Sequence, residues 1–189
     1  LSFKPAWEKP VKVVLDRFDL EDVALLGISM GGWLFIRAAA YEPRVTRVMA
    51  SGIAYDYMQF RALPAQWLFK FFLSCMPGLT DRQAKRKMRS DPMHTWTLGN
   101  LMYIAATDDL WEAFEVVKWM NAGNLQSERV TQDVLVLTGR ADHFIPFKMH
   151  AKQVTALTNA RSVAARVFTR EDSAQNHCQI GNVGLALDI

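Results

Sequence analysis

The sequence predicts an α/β fold: a parallel sheet of about four strands flanked by helices. Three observations carry this. Apolar runs of strand length recur at 23–28, 45–52, 134–139 and 163–169. Segments with helical spacing lie between the first two runs and between the last two, the alternation that parallel sheets require. The turn Gly27-Ile28-Ser29-Met30-Gly31-Gly32 joins the first run directly to a helix.

Composition narrows the class. A chain of 189 residues, half of them hydrophobic and 22% charged, can bury a full core and is not disordered. A net charge of +3 is too small to imply a nucleic-acid partner. Cys75 and Cys178 form no disulfide framework and no zinc spacing, and there is no H-E-x-x-H. Neither a metal nor a cofactor is expected. The start Leu1-Ser2-Phe3-Lys4-Pro5 lacks a signal-peptide pattern, so the expected location is cytoplasmic. Residues 62–80 are nearly free of charge, but Lys70, Pro64 and Pro77 interrupt them. A hydrophobic lid segment is expected there, not a membrane span.

Taken in order, Val11, Val14, Leu15 and Phe18 predict a helix before the first strand. The run 23–28 reads as a central strand covered on both faces, since nearly all of it is apolar. The helix after Ser29 is apolar almost all round and should be buried, ending before Pro43. The second strand, 45–52, returns after enough residues for a helical crossover. Strands at 134–139 and 163–169 enclose a helix at about 147–157. The division is 1–54 and 130–189 as core and 55–129 as a helical cap insertion. Within the insertion, Thr80 and Gln83 predict a capping box. A second helix from Asp108 or Asp109 should carry Leu110, Phe114, Val117 and Met120 on one stripe and end at Gly123.

A serine at the apex of a strand-to-helix turn is held in a strained conformation, with its hydroxyl raised from the sheet edge. Gly27 and Gly31 flank it where a Cβ is expected to collide with neighbouring backbone. The helix start aims free N–H groups at the serine, Met30 N–H first among them, so an oxyanion there meets a donor. Such a serine needs a base, and the base needs an acid. Of the four histidines, His94 lies in the insertion, His143 and His150 follow the third strand, and His177 follows the fourth. The order serine, acid, histidine selects His177, with the acid expected in Gly139-Arg140-Ala141-Asp142-His143-Phe144-Ile145-Pro146. Asp142 is the candidate; Asp172 and Glu171 are the substitutes, and a loop-capping role for Asp142 stays open. A role for His177 as a plain surface histidine in a polar loop stays open as well. His143 is expected to be a solvated neighbour, and Cys178 a small buried side chain.

Gly27-Ile28-Ser29-Met30-Gly31-Gly32, then Leu137-Thr138-Gly139-Arg140-Ala141-Asp142 with Pro146, then Asn176-His177-Cys178, resemble the α/β-hydrolase superfamily, in its esterase and prolyl-oligopeptidase-like branch. The resemblance covers most of the chain outside the insertion. It implies a serine hydrolase with a nucleophile elbow and a catalytic triad of Ser29 as nucleophile, Asp142 as acid and His177 as base. It also implies a larger sheet of about eight strands, with the serine on the fifth and a second oxyanion donor after the third. The chain would then be the second half of a partial α/β-hydrolase fold, with the strand before Ser29 exposing an apolar edge.

The insertion holds Trp67, Phe69, Phe71, Phe72, Met76, Met93, Trp96, Met102, Tyr103, Trp111, Phe114, Trp119 and Met120. They suit a cap over a small, apolar acyl substrate, or simply the insertion's own core. Arg82, Lys85, Arg86 and Arg89, with Lys87 beside them, read as a solvated helix face. Three functional readings follow. The first is hydrolysis of an ester, amide or related acyl bond, with carbon–carbon bond hydrolysis as a variant. The second is a noncatalytic protein of this fold that binds a ligand or partner. The third is pairing of the exposed edge, as a homodimer or with a separate N-terminal piece.

Overall fold

The computed structural model describes residues 4–60, 64, 67, 68, 71 and 75–189. Phe69, Phe72 and much of the expected lid segment lie outside the described residues. Chain contacts divide the molecule into two units, one of residues 5–56 and 122–189 and one built on 57–121.

The first unit is a four-stranded parallel sheet in the order β1 (Val23–Ile28), β2 (Val45–Ser51), β3 (Asp133–Gly139), β4 (Ser162–Phe168). Strand positions agree with the sequence reading to within a residue. Helix α1 (Glu8–Phe18) precedes β1 and starts earlier than its apolar pattern indicated. Helix α2 (Met30–Ala39) crosses from β1 to β2 and buries Trp33, Leu34, Ile36, Ala38 and Ala39, as an apolar-all-round helix must.

Register explains which face each helix covers. Leu25, Val48 and Val134 are register partners and therefore share a face. Val23 and Leu25, together with Phe35 of α2, pack against the cluster of Val11 and Leu15 of α1 and Ala38 of α2. Leu135 and Leu137, one residue out of phase, point the other way and pack with Phe168, Ala174 and Leu185.

The expectation that β1 is covered on both faces fails. β1 ends the strand order among the described residues, and Leu26 and Ile28 remain 40% and 55% exposed. An apolar run reads alike whether its second neighbour is present or not.

The second unit is helical among its described residues: α3 (Pro77–Ser90), α4 (Pro92–Ala105) and α5 (Leu110–Trp119). The capping box is not formed. Helix α3 begins at Pro77, so Thr80 sits inside it and its hydroxyl donates to Met76 O at 3.2 Å. Proline suits the first helical turn and moved the start upstream of the polar pair. Asp109 does cap α5, accepting from Trp111 N at 2.7 Å. Leu110 and, just past the helix end, Met120 are buried as expected, but Ala113 and Val116 complete the buried stripe while Phe114 and Val117 are half-buried, and the helix stops at Trp119 before Gly123. Arg82, Lys85, Arg86 and Arg89 are exposed, with Lys85 paired to Asp81 at 2.9 Å. No helix among the described residues is long and apolar enough to cross a membrane.

Candidate functional site

The site is assembled at one end of the sheet from the loops after β1, β3 and β4. Ser29 lies between β1 and α2 with φ 57° and ψ −121°, a backbone conformation that a residue with a side chain adopts only under constraint. Two bonds impose it: Ser29 N donates to Ser51 O at 2.8 Å, and Gly32 N donates to Ser29 O at 3.0 Å.

The glycines divide unexpectedly. A Cβ on Gly27 would stand 2.4 Å from Gly31 O, so the turn closes only over glycine. A Cβ on Gly31 would meet none of the described atoms within 4 Å, contrary to the expectation for that position. The tight neighbour is Gly32, whose Cβ would come 3.3 Å from Ile53 Cβ and 3.4 Å from Ala50 Cβ where α2 crosses β2. The helix turned the second glycine of the pattern outward and the third one inward. Met30 opens α2, and the first amides of a helix have no preceding turn to bond.

Asp142 follows β3. Its Oδ1 accepts from Phe144 N and Ile145 N, both at 2.8 Å, while Oδ2 faces His177 Nδ1 at 2.7 Å. Loop capping and pairing with the histidine are therefore carried by different oxygens of one carboxylate. Burial pushes this carboxyl up, but the bonds from His177, Ile145 and Phe144 hold it below the usual aspartate value. Its side chain is 1% exposed.

His177 follows β4, and its Nε2 lies 2.8 Å from Ser29 Oγ. Both ring nitrogens are thus engaged, leaving none for Asp172 or Glu171. Asp172 instead accepts from Thr169 N at 2.7 Å and pairs with Arg166 at 3.0 Å. Burial pulls the imidazole down, but the Asp142 bond and the Cys178 side chain outweigh it and raise the group to about 9. The ring's walls include Phe144, edge-on at 5.1 Å, and His143 at 6.1 Å, which is exposed as expected.

The other two histidines are occupied elsewhere. His150, in helix α6 (Lys148–Ala156), is buried against Thr138 Oγ1 at 2.8 Å. His94 faces Asp91 Oδ2 at 2.6 Å in the helical unit. Cys178 is half-buried, not fully buried, because the histidine turn lies at the surface end of the sheet. Among the described residues no group of three His, Cys, Asp or Glu could hold a metal ion.

Sequence reasoning did not single out two contributors. Gly139 is where β3 meets the histidine loop: a Cβ there would lie 2.3 Å from Asn176 O and 2.4 Å from Gln175 O. Gln179 is buried, and its Oε1 accepts from Ser51 Oγ at 2.6 Å, tying the same loop to β2. Gly139 lay inside a quoted motif, so its signal was present; a lone glutamine in a polar loop carries none.

No protein-family model matches the chain. It is 28% identical over 158 residues to the protein named hydrolase acrC of Aspergillus aculeatus, a match covering 76% of this chain. The chain spans 36% of that curated relative's length. Solved structures with the same fold include a hydrolase from Pseudomonas aeruginosa, at 16% identity and a TM-score of 0.56, covering 100% of this chain and 69% of that one. A 2,6-dihydroxy-pseudo-oxynicotine hydrolase matches at 18% identity and a TM-score of 0.60, covering 96% of this chain and 44% of that one. An esterase from Exiguobacterium antarcticum matches at 15% and 0.53, covering 88% and 66%. With the parallel sheet and the turn geometry above, these likenesses establish that the chain carries the fold of the α/β-hydrolase superfamily.

Proposed function

We propose that this chain carries the catalytic residues of a serine hydrolase acting on an ester, amide or related acyl bond. The observation that supports the reading best is the hydrogen-bonded chain through His177, 2.7 Å to Asp142 and 2.8 Å to Ser29. The names of similar proteins, a hydrolase and an esterase among them, point the same way.

In this mechanism His177 Nε2 takes the Ser29 proton as Oγ attacks the acyl carbon. Asp142 holds the Nδ1–H tautomer and offsets the imidazolium charge. The oxyanion is met by Met30 N–H, with a further donor from outside the residues named here. His177 then delivers its proton to the leaving group, whose bond to the acyl carbon breaks. An acyl-enzyme on Ser29 results. Water, deprotonated by His177, attacks that acyl carbon, releasing the acid and restoring Ser29.

A fairly apolar small substrate is the proposal that the residue content of the helical insertion supports. Trp111, Phe114 and Trp119 offer apolar surface with few polar groups. A cytoplasmic location and pairing through the β1 edge remain parts of the same proposal.

The test is intact-protein mass after incubation with a fluorophosphonate, with the adduct mapped by peptide sequencing. One adduct on Ser29, lost in Ser29→Ala, is the expected result. A folded sample that takes up no reagent on Ser29 at any pH up to 10 refutes the proposal for this chain.

A further inference from the structure

Ser51 closes β2, and the end of that strand bonds to all three of the neighbouring segments that build the site. Ser51 O accepts from Ser29 N at 2.8 Å, and Ser51 Oγ donates to Gln179 Oε1 at 2.6 Å. The next amide, Gly52 N, donates to Leu137 O at 2.9 Å. The first bond holds the serine turn and the second the histidine turn. The third ties the strand end to β3, which opens into the Asp142 loop.

The serine and histidine turns are both constrained. Ser29 has φ 57°, Cys178 φ 54° and Gln179 φ 55°, and none of them is glycine. Such conformations persist only where the surroundings over-determine them. Within the histidine turn, Gln179 N donates to Asn176 O at 3.1 Å and Asn182 N to Gln179 O at 2.9 Å. Those bonds shape the turn but do not place it. The Ser51 to Gln179 bond does, joining residues 128 positions apart in sequence.

Stability is a poor account of this pair. Ser51 is 6% exposed and Gln179 0%, and Gln179 Nε2 is buried with no hydrogen-bond partner among the described residues. A buried amide that leaves a donor unmade costs more than an apolar side chain of similar shape. What the glutamine adds is direction. A hydrogen bond fixes a distance and an angle, whereas apolar packing lets a turn slide.

We propose that Ser51 and Gln179 are positioning residues that set the histidine turn against the serine turn, so that His177 Nε2 meets Ser29 Oγ at 2.8 Å. The proposal rests on reading Ser29 and His177 as nucleophile and base. Ser51 serves both turns at once, one through its main chain and the other through its side chain. The end of β2 is thus their common reference. A misplacement of about 1 Å between reacting groups can cost about 100-fold in rate.

The test is a double-mutant cycle on the fluorophosphonate reaction of Ser29, with Ser51→Ala, Gln179→Met and the double variant. The saturating rate and the half-saturating reagent concentration are read separately. Each single variant should lower the saturating rate about tenfold or more and leave the half-saturating concentration unchanged within about twofold. The double variant should be no slower than the slower single one, because both changes break the same bond. Folded single variants that label at the wild-type rate, or losses that multiply in the double variant, overturn the proposal. Where a single variant does not fold, the double variant decides, since it leaves no polar atom of the pair buried without a partner. Folded and labelling at the wild-type rate, it overturns the proposal too. The far-downfield NMR signal of the His177 Nδ1 proton shared with Asp142 needs no reagent. Its loss in the double variant, with no labelling of the wild type, upholds the positioning role and refutes the hydrolase reading instead.

Discussion

Gly27 and Gly31 occupy equivalent places in a sequence pattern but opposite situations in space. Gly27→Ala drives a methyl into the Gly31 carbonyl, 2.4 Å away, so it should destabilise the fold by several kcal/mol or abolish Ser29 labelling. Gly31→Ala has room within α2, and replacing a helical glycine should leave the melting temperature unchanged or stabilise by about 0.5–1 kcal/mol. Thermal melts of the two variants check both. The histidine gives a pH prediction. Its base form is the neutral ring, and the folded protein holds the proton up to about pH 9, so labelling of Ser29 should climb through that pH and not through 6.5. Asp142→Asn keeps the shape but loses the charge and the tautomer control, and labelling should drop by about 10⁴. The three residues that the structure joins were legible from their order and their loops. Gln179 was not, because a lone buried glutamine in a polar loop leaves no periodicity.

At the scale of elements, the sheet was legible and the insertion only in part. Strand runs bounded by glycine and proline mark their own ends, whereas Thr80 and Gln83 resembled a helix start that Pro77 had already supplied. The edge position of β1 was invisible in β1 itself. Elements also carry a pH signature. His150, on α6, is buried against Thr138 of β3, and burial holds it below the usual histidine value. A histidine so lowered stabilises the fold above its unfolded value, near 6.5, and that contribution is lost as pH falls through its folded value. Asp142, lowered likewise, contributes above about pH 4 and loses this in stronger acid. His177 has the opposite sign: its contribution is complete below pH 6.5 and is lost as pH rises through about 9. Denaturant midpoints should therefore decline on both sides of a maximum near neutrality, and His150→Gln should flatten the decline below pH 6.5.

For the whole molecule, the exposed Leu26 and Ile28, beside a strand edge that no described residue pairs, predict self-association at high concentration. Sedimentation should show it, and Leu26→Lys should reduce it. The chain's connectivity has a kinetic side as well. β2 and β3 are sheet neighbours, yet residues 52–132 separate them in sequence. Closing so long a loop in a disordered chain is slow, and its entropy grows with the logarithm of its length. The insertion's ends meet, however: Tyr57 N donates to Met120 O at 3.1 Å, and Ala122 N to Asp56 Oδ2 at 3.3 Å. If the helices form first, from contacts close in sequence, the growing sheet encounters a short bridge in place of a long loop. Mutations that loosen the helical unit, such as Leu110→Ala, should then slow refolding of the sheet while hardly changing its unfolding rate.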